Sequence, residues 1–81
     1  MTITGFKCIN EATSVINCDA HGNNAAICCP SCGYPILFVA RKNQKGSDRS
    51  HATQCAGCGK LFFIEVIESK KVIILHEKTG N

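Results

Sequence analysis

Two five-residue units, Cys29-Pro30-Ser31-Cys32-Gly33 and Cys55-Ala56-Gly57-Cys58-Gly59, repeat the pattern C-x-x-C-G and constrain this chain more than any other feature of it. Two thiolates three residues apart can grip one ion when the chain turns tightly. Glycine after the second cysteine supplies the positive φ that closes such a turn. Each unit then contributes half of a tetrahedron, the arrangement that Zn2+ takes with sulfur ligands. The 22 residues between Cys32 and Cys55 give room for a strand, a loop and the return to the ion. Cys29, Cys32, Cys55 and Cys58 are therefore expected to hold one zinc. Four thiolates close the coordination shell, leaving no position for water or substrate, so such a metal supports folding and does not catalyse. A chain of 81 residues needs that support: domains near this size bury only about 60–65% of their unfolded surface and often carry a staple.

Seven cysteines in 81 residues also fit a secreted disulfide scaffold. Three features argue against it. The start, Met1 to Lys7, has neither a basic n-region nor an apolar h-region. The cysteine count is odd, and the cysteines fall in close pairs. Together these point to the cytoplasm and a metal. No apolar run approaches the roughly 18 residues of a membrane span. A dithiol of thioredoxin type belongs at a helix N-terminus beside a βαβ pattern, and none is visible here.

Short strand signals dominate the rest. Residues 3–9 and 13–18, rich in Ile, Val and Thr, read as two strands around Asn10-Glu11-Ala12, with a one-turn helix capped by Asn10 as the alternative. Residues 19–24 read as turn material. Ile36 to Ala40 is a continuous apolar run, expected as a strand buried on both faces. Leu61 to Ile67, a turn at Glu68 to Lys71 and Val72 to Lys78 read as a β-hairpin. No helical period of useful length appears.

Arranged this way, CPSCG and CAGCG sit on the ends of β-hairpins, and the stretch from about Ala25 to Lys78 resembles the zinc-ribbon fold. The resemblance implies a small, mainly-β, metal-stabilised domain: a zinc ribbon over 25–78, an added N-terminal β-hairpin within 1–24, and a tail at 79–81. It implies little about function, because zinc ribbons serve transcription, translation and many adaptors. Cys32-Gly33-Tyr34 also resembles the first knuckle of rubredoxins, which bind iron and carry electrons. Rubredoxins place the Cys-Pro knuckle second and have aromatic cores and acidic surfaces, and this chain departs from all three.

Cys8, Cys18, His21 and Cys28 remain. Cys18-Asp19-Ala20-His21-Gly22 repeats the knuckle pattern with histidine as its last donor. Three thiolates and an imidazole would make a second zinc site; the competing reading makes the cysteines small buried apolar residues and His21 a turn residue. His51 and His76 show no catalytic arrangement in the sequence and read as surface positions.

The formal charge of +3 resides wholly in segment 41–54, where Arg41, Lys42, Lys45 and Arg49 face one acid, Asp48; elsewhere five basic residues balance five acidic ones. Phosphates attract such a loop by counterion release. The Gly46-Ser47 turn within it is expected to be exposed and mobile. The expectation is a non-enzymatic zinc-ribbon protein that binds nucleic acid through Arg41, Lys42, Lys45 and Arg49, in transcription, translation or their regulation. The alternative is a protein-interaction adaptor or subunit of a larger complex, or a homodimer, joined through the strand edges of the N-terminal segment or the 61–67/72–77 hairpin. A third reading is the iron electron carrier.

Overall fold

The computed structural model describes residues 2–79; Met1 and the last two residues of the expected tail lie outside them. Seven strands run in chain order: β1 (Lys7–Ile9), β2 (Cys18–His21), β3 (Asn24–Cys28), β4 (Pro35–Val39), β5 (Thr53–Gln54), β6 (Leu61–Ile67) and β7 (Val72–Lys78). Two single 3-10 turns, Arg49–His51 and Glu68–Lys70, complete the regular structure.

The strands form two sheets, ordered β1-β7-β6-β5 and β2-β3-β4. All neighbours are antiparallel except β1 and β7, which pair in parallel from Lys7↔Val72 to Ile9↔Ile74. Alternation sends one face of each sheet inward. Ala25 and Ile27 of β3 and Ile36 and Phe38 of β4 meet Phe62, Ile64, Ile73 and Leu75 of β6 and β7, with Ile3 and Cys8 closing the N-terminal side. Burying a side chain of the size of Phe38 or Phe62 stabilises the fold by about 1.5–3 kcal/mol. The fold is thus small, mainly β and double-layered, as the strand pattern implies.

Four local expectations are corrected. Residues 3–9 and 13–18 touch through one bridge, Ile9↔Val15, and form no hairpin. β1 instead crosses to β7, while a strand at 18–21, part of the stretch read as turn, pairs with β3 through a two-residue turn at Gly22-Asn23. The Asn10 side chain does organise its turn, accepting from the backbone N–H groups of Ala12 and Ser14, but no helix follows. β4 is buried on one face only: Leu37 is 49% exposed, because the three-stranded sheet leaves its outer face open.

Gly46 gives the fourth correction. It is buried, not at an exposed tip. Its N–H donates to the His51 carbonyl, its own carbonyl accepts from Ile64, and φ is +73°. A Cβ there would lie 2.3 Å from Phe38 Cδ2. The basic segment therefore folds back against β4 and the edge of β6.

Candidate metal centre

The two C-x-x-C-G units link β3 to β4 and β5 to β6, each at the end of an antiparallel pair. Their backbones repeat each other. Cys29 N–H donates to Tyr34 O and Gly33 N–H to Cys29 O, both at 2.8 Å; Cys55 N–H donates to Lys60 O and Gly59 N–H to Cys55 O, again at 2.8 Å. Gly33 and Gly59 take φ of +79° and +81°, the left-handed conformation the pattern calls for. The turns interlock: Lys60 Nζ donates to Ser31 Oγ at 2.8 Å, and a Cβ on Gly57 would fall 2.8 Å from Cys32 Sγ. Gly57 thus lets the second turn approach the first, a role its sequence position did not reveal because the contact is long-range.

All four sulfurs lie within 4.8 Å of one another, the one such group of donors found among the described residues. Cys29 Sγ is 3.6 Å from Cys58 Sγ, and Cys32 Sγ is 3.5 Å from Cys55 Sγ. A tetrahedral ion with Zn–S bonds of about 2.3 Å would set its sulfurs about 3.8 Å apart, so the cluster has the size of a metal site. The chemistry agrees with the geometry. Backbone N–H groups point at the sulfurs, as where Ser31 N lies 3.4 Å from Cys29 Sγ, and favour thiolate.

Without an ion, the crowded sulfurs resist full ionisation. Burial raises the Cys55 thiol, but the backbone of Cys58 and Gly57 and the neighbouring thiols Cys32 and Cys29 outweigh it and bring its pKa to about 7. The Tyr34 backbone lowers Cys32, yet burial and the thiols of Cys55, Cys29 and Cys58 push it up to about 12. Cys58 also ends raised: the Lys60 backbone lowers it, while burial, Cys29 and Cys55 raise it further. A negative charge on one sulfur of the cluster opposes the next. A dication removes that opposition, so binding the ion and ionising the thiols are one event.

The second expected site is not assembled. Cys8 and Cys18 are joined in a disulfide, with their Cα atoms 6.2 Å apart, so neither sulfur is a free thiolate donor. Cys28 remains a free thiol and lies 3.8 Å from the Asn17 amide nitrogen, while His21 is exposed at the end of β2. The competing reading fares partly better: Cys8 is buried in the core, but as half of a covalent link between β1 and β2.

Both remaining histidines meet carboxylates. His51 Nδ1 lies 2.8 Å from Asp48 Oδ1. His76 bridges Glu11 Oε2 (2.8 Å, Nδ1) and Glu65 Oε1 (2.9 Å, Nε2) and stacks on Phe63. Glu65 is legible as a near neighbour, since the hairpin register seats it beside His76, but Glu11 is 65 residues away. Of the basic residues, Arg41, Lys42 and Arg49 line a cleft beside β6 and Lys45 does not; Arg49 sits over the Phe63 ring at 5.5 Å.

Searches against protein-family models, curated proteins and solved structures return no match to this chain. The fold and the cluster define it as a small, mainly-β protein with a four-cysteine centre whose sulfurs can hold a metal ion.

Proposed function

We propose that this chain is a zinc protein of the zinc-ribbon type, that its metal is structural, and that the surface held by the metal binds nucleic acid. The observation that supports the first part is the pair of matched turns whose four sulfurs close to within 4.8 Å. Apparent zinc-binding energies of about 10–16 kcal/mol in zinc-finger peptides match or exceed the roughly 4–12 kcal/mol of total stability usual for a chain of this length. Zinc would then decide whether the two sheets stay joined at the knuckles. Four sulfur donors leave no open coordination position, which favours a non-enzymatic role.

The nucleic-acid reading rests on charge. Every ion pair among the described residues involves a histidine, which leaves Arg41, Lys42, Lys45 and Arg49 without a carboxylate partner there. For the adaptor reading, β1 covers Val72–Ile74 of β7 and β5 covers the start of β6, while β1, β2 and β4 are themselves edge strands open to a partner. Among the described residues no helix is long and apolar enough to cross a membrane. A reducing, cytoplasmic setting would keep the four metal thiols free for an ion, whereas the Cys8–Cys18 disulfide weighs toward an oxidising one.

Native and acid-denatured mass spectrometry test the metal. One zinc per chain is the expected result; iron would move electron transfer to first place, and a metal-free chain with oxidised pairs would overturn the zinc reading. Binding of a single-stranded or duplex oligonucleotide tests the rest. Affinity should fall with salt at a log–log slope of roughly −3 for four contacts, and neutralising Arg41, Lys42, Lys45 and Arg49 together should abolish it. Unchanged binding by that variant would refute the reading.

A further inference from the structure

Between the basic segment and the edge of β6 lies a cleft of about 400 Å³. Its lining is asymmetric in hydrogen-bonding character. Arg41, Lys42 and Arg49 bring three cations, none paired with a carboxylate among the described residues. The two acids present, Asp48 and Glu65, are already engaged by His51 and His76. Ser47 Oγ is shut off from solvent and, among the described residues, has no hydrogen-bond partner. Buried hydroxyls are normally satisfied, so an orphan beside a cleft marks a partner still to come.

The backbone adds another donor. Ile64 N–H points away from β7, toward Gly46 O. In an antiparallel ladder the residue two further on points the same way, so Val66 N–H faces the cleft, and no backbone acceptor among the described residues meets it. The cleft thus collects donors and cations over an apolar floor of Phe63, Ile64 and Val66. Phe63 already stacks with His76 and carries Arg49 over its ring, so the site is built to take an oxyanion more than to stack a base.

We propose that this cleft seats a phosphoryl group, with Arg41, Lys42 and Arg49 neutralising its charge and the Ser47 hydroxyl and Val66 N–H donating to its oxygens. The source is either a phosphate of a nucleic-acid strand or a free phosphomonoester such as a nucleotide. The proposal deepens the nucleic-acid reading and rests on it for the source of the phosphate, not for the chemistry of the seat.

The test is a nitrogen-15 NMR titration of the full zinc-loaded chain with inorganic phosphate, with AMP and with a twelve-residue oligothymidylate. The expected result is saturable shifts at the amides of Lys42, Ser47, Arg49 and Val66, with the knuckle amides unmoved. The exposed pair R41Q/K42Q should weaken binding at least tenfold, about 1.4 kcal/mol, and S47A should weaken it without unfolding the chain. K70Q removes one charge on the remote β6–β7 turn and should leave binding unchanged. Shifts centred elsewhere, no shift with any probe, or equal binding by R41Q/K42Q would overturn the seat. If the oligonucleotide binds through Arg41, Lys42, Lys45 and Arg49 but leaves the Ser47 and Val66 amides unmoved, and neither phosphate nor AMP binds, the seat fails and the nucleic-acid reading stands. If phosphate and AMP fill the seat and the oligonucleotide does not bind, the seat stands and that reading fails.

Discussion

Replacing Gly46 by alanine should be among the most damaging single changes outside the cysteines. Two terms combine. A residue with a Cβ held at φ +73° pays about 1–2 kcal/mol for the left-handed conformation. The added methyl would also sit 2.3 Å from Cδ2 of Phe38, a ring with no exposed surface and no room to retreat, and overpacking of a core costs about 1–3 kcal/mol. Together they predict a loss of about 2–5 kcal/mol, a large share of the roughly 4–12 kcal/mol expected for the whole chain. Gly5 is the control: its φ is +78°, but nothing lies within 4 Å of a Cβ there, so Gly5→Ala should lose only the backbone term. The assay is urea unfolding of both zinc-loaded variants beside the parent. A difference of 2 kcal/mol between the two would separate their midpoints by about 1 M at a typical slope near 2 kcal/mol/M. Equal losses would refute the reasoning, since they would mean that the loop does not press Gly46 against Phe38.

Gly57→Ala should weaken metal binding more than it weakens the sheets, because the new Cβ would meet Cys32 Sγ at 2.8 Å; chelator competition against the parent measures this. His76 carries a raised pKa: burial lowers it, but the hydrogen bonds and charges of Glu11 and Glu65 more than compensate. A raised folded-state pKa means stability that is fully present below about pH 6.5, the unfolded value, and lost as pH rises through the folded value. Glu11→Gln should reduce that pH dependence, as read by unfolding at pH 5.5 and pH 8. Opening the Cys8–Cys18 link, which spans a sequence separation of 10, should cost about 2.7 kcal/mol of loop-closure entropy. Unfolding with and without reductant, on zinc-loaded chain, checks it, and an unchanged midpoint would count against the link.

The sequence alone determined what is local. The C-x-x-C-G spacing specifies each knuckle completely, because its hydrogen bonds and its positive-φ glycine lie within six residues of one another. Two such units leave few alternatives to a shared site, and the structure brings Cys29, Cys32, Cys55 and Cys58 together. The β6–β7 hairpin was equally legible, since one turn fixes its register. Tertiary structure decided what joins distant residues. The parallel pairing of β1 with β7 has no local signature, so the N-terminal segment read as its own hairpin, and the Cys8–Cys18 bond displaced the imagined second zinc. Asn10-Glu11-Ala12 looked like an isolated turn until Glu11 reached His76 across the chain. Gly46-Ser47 had the composition of an exposed tip, yet its backbone polar groups find partners in β6 and around His51, and the glycine's missing side chain is what lets Phe38 fill the core beneath it.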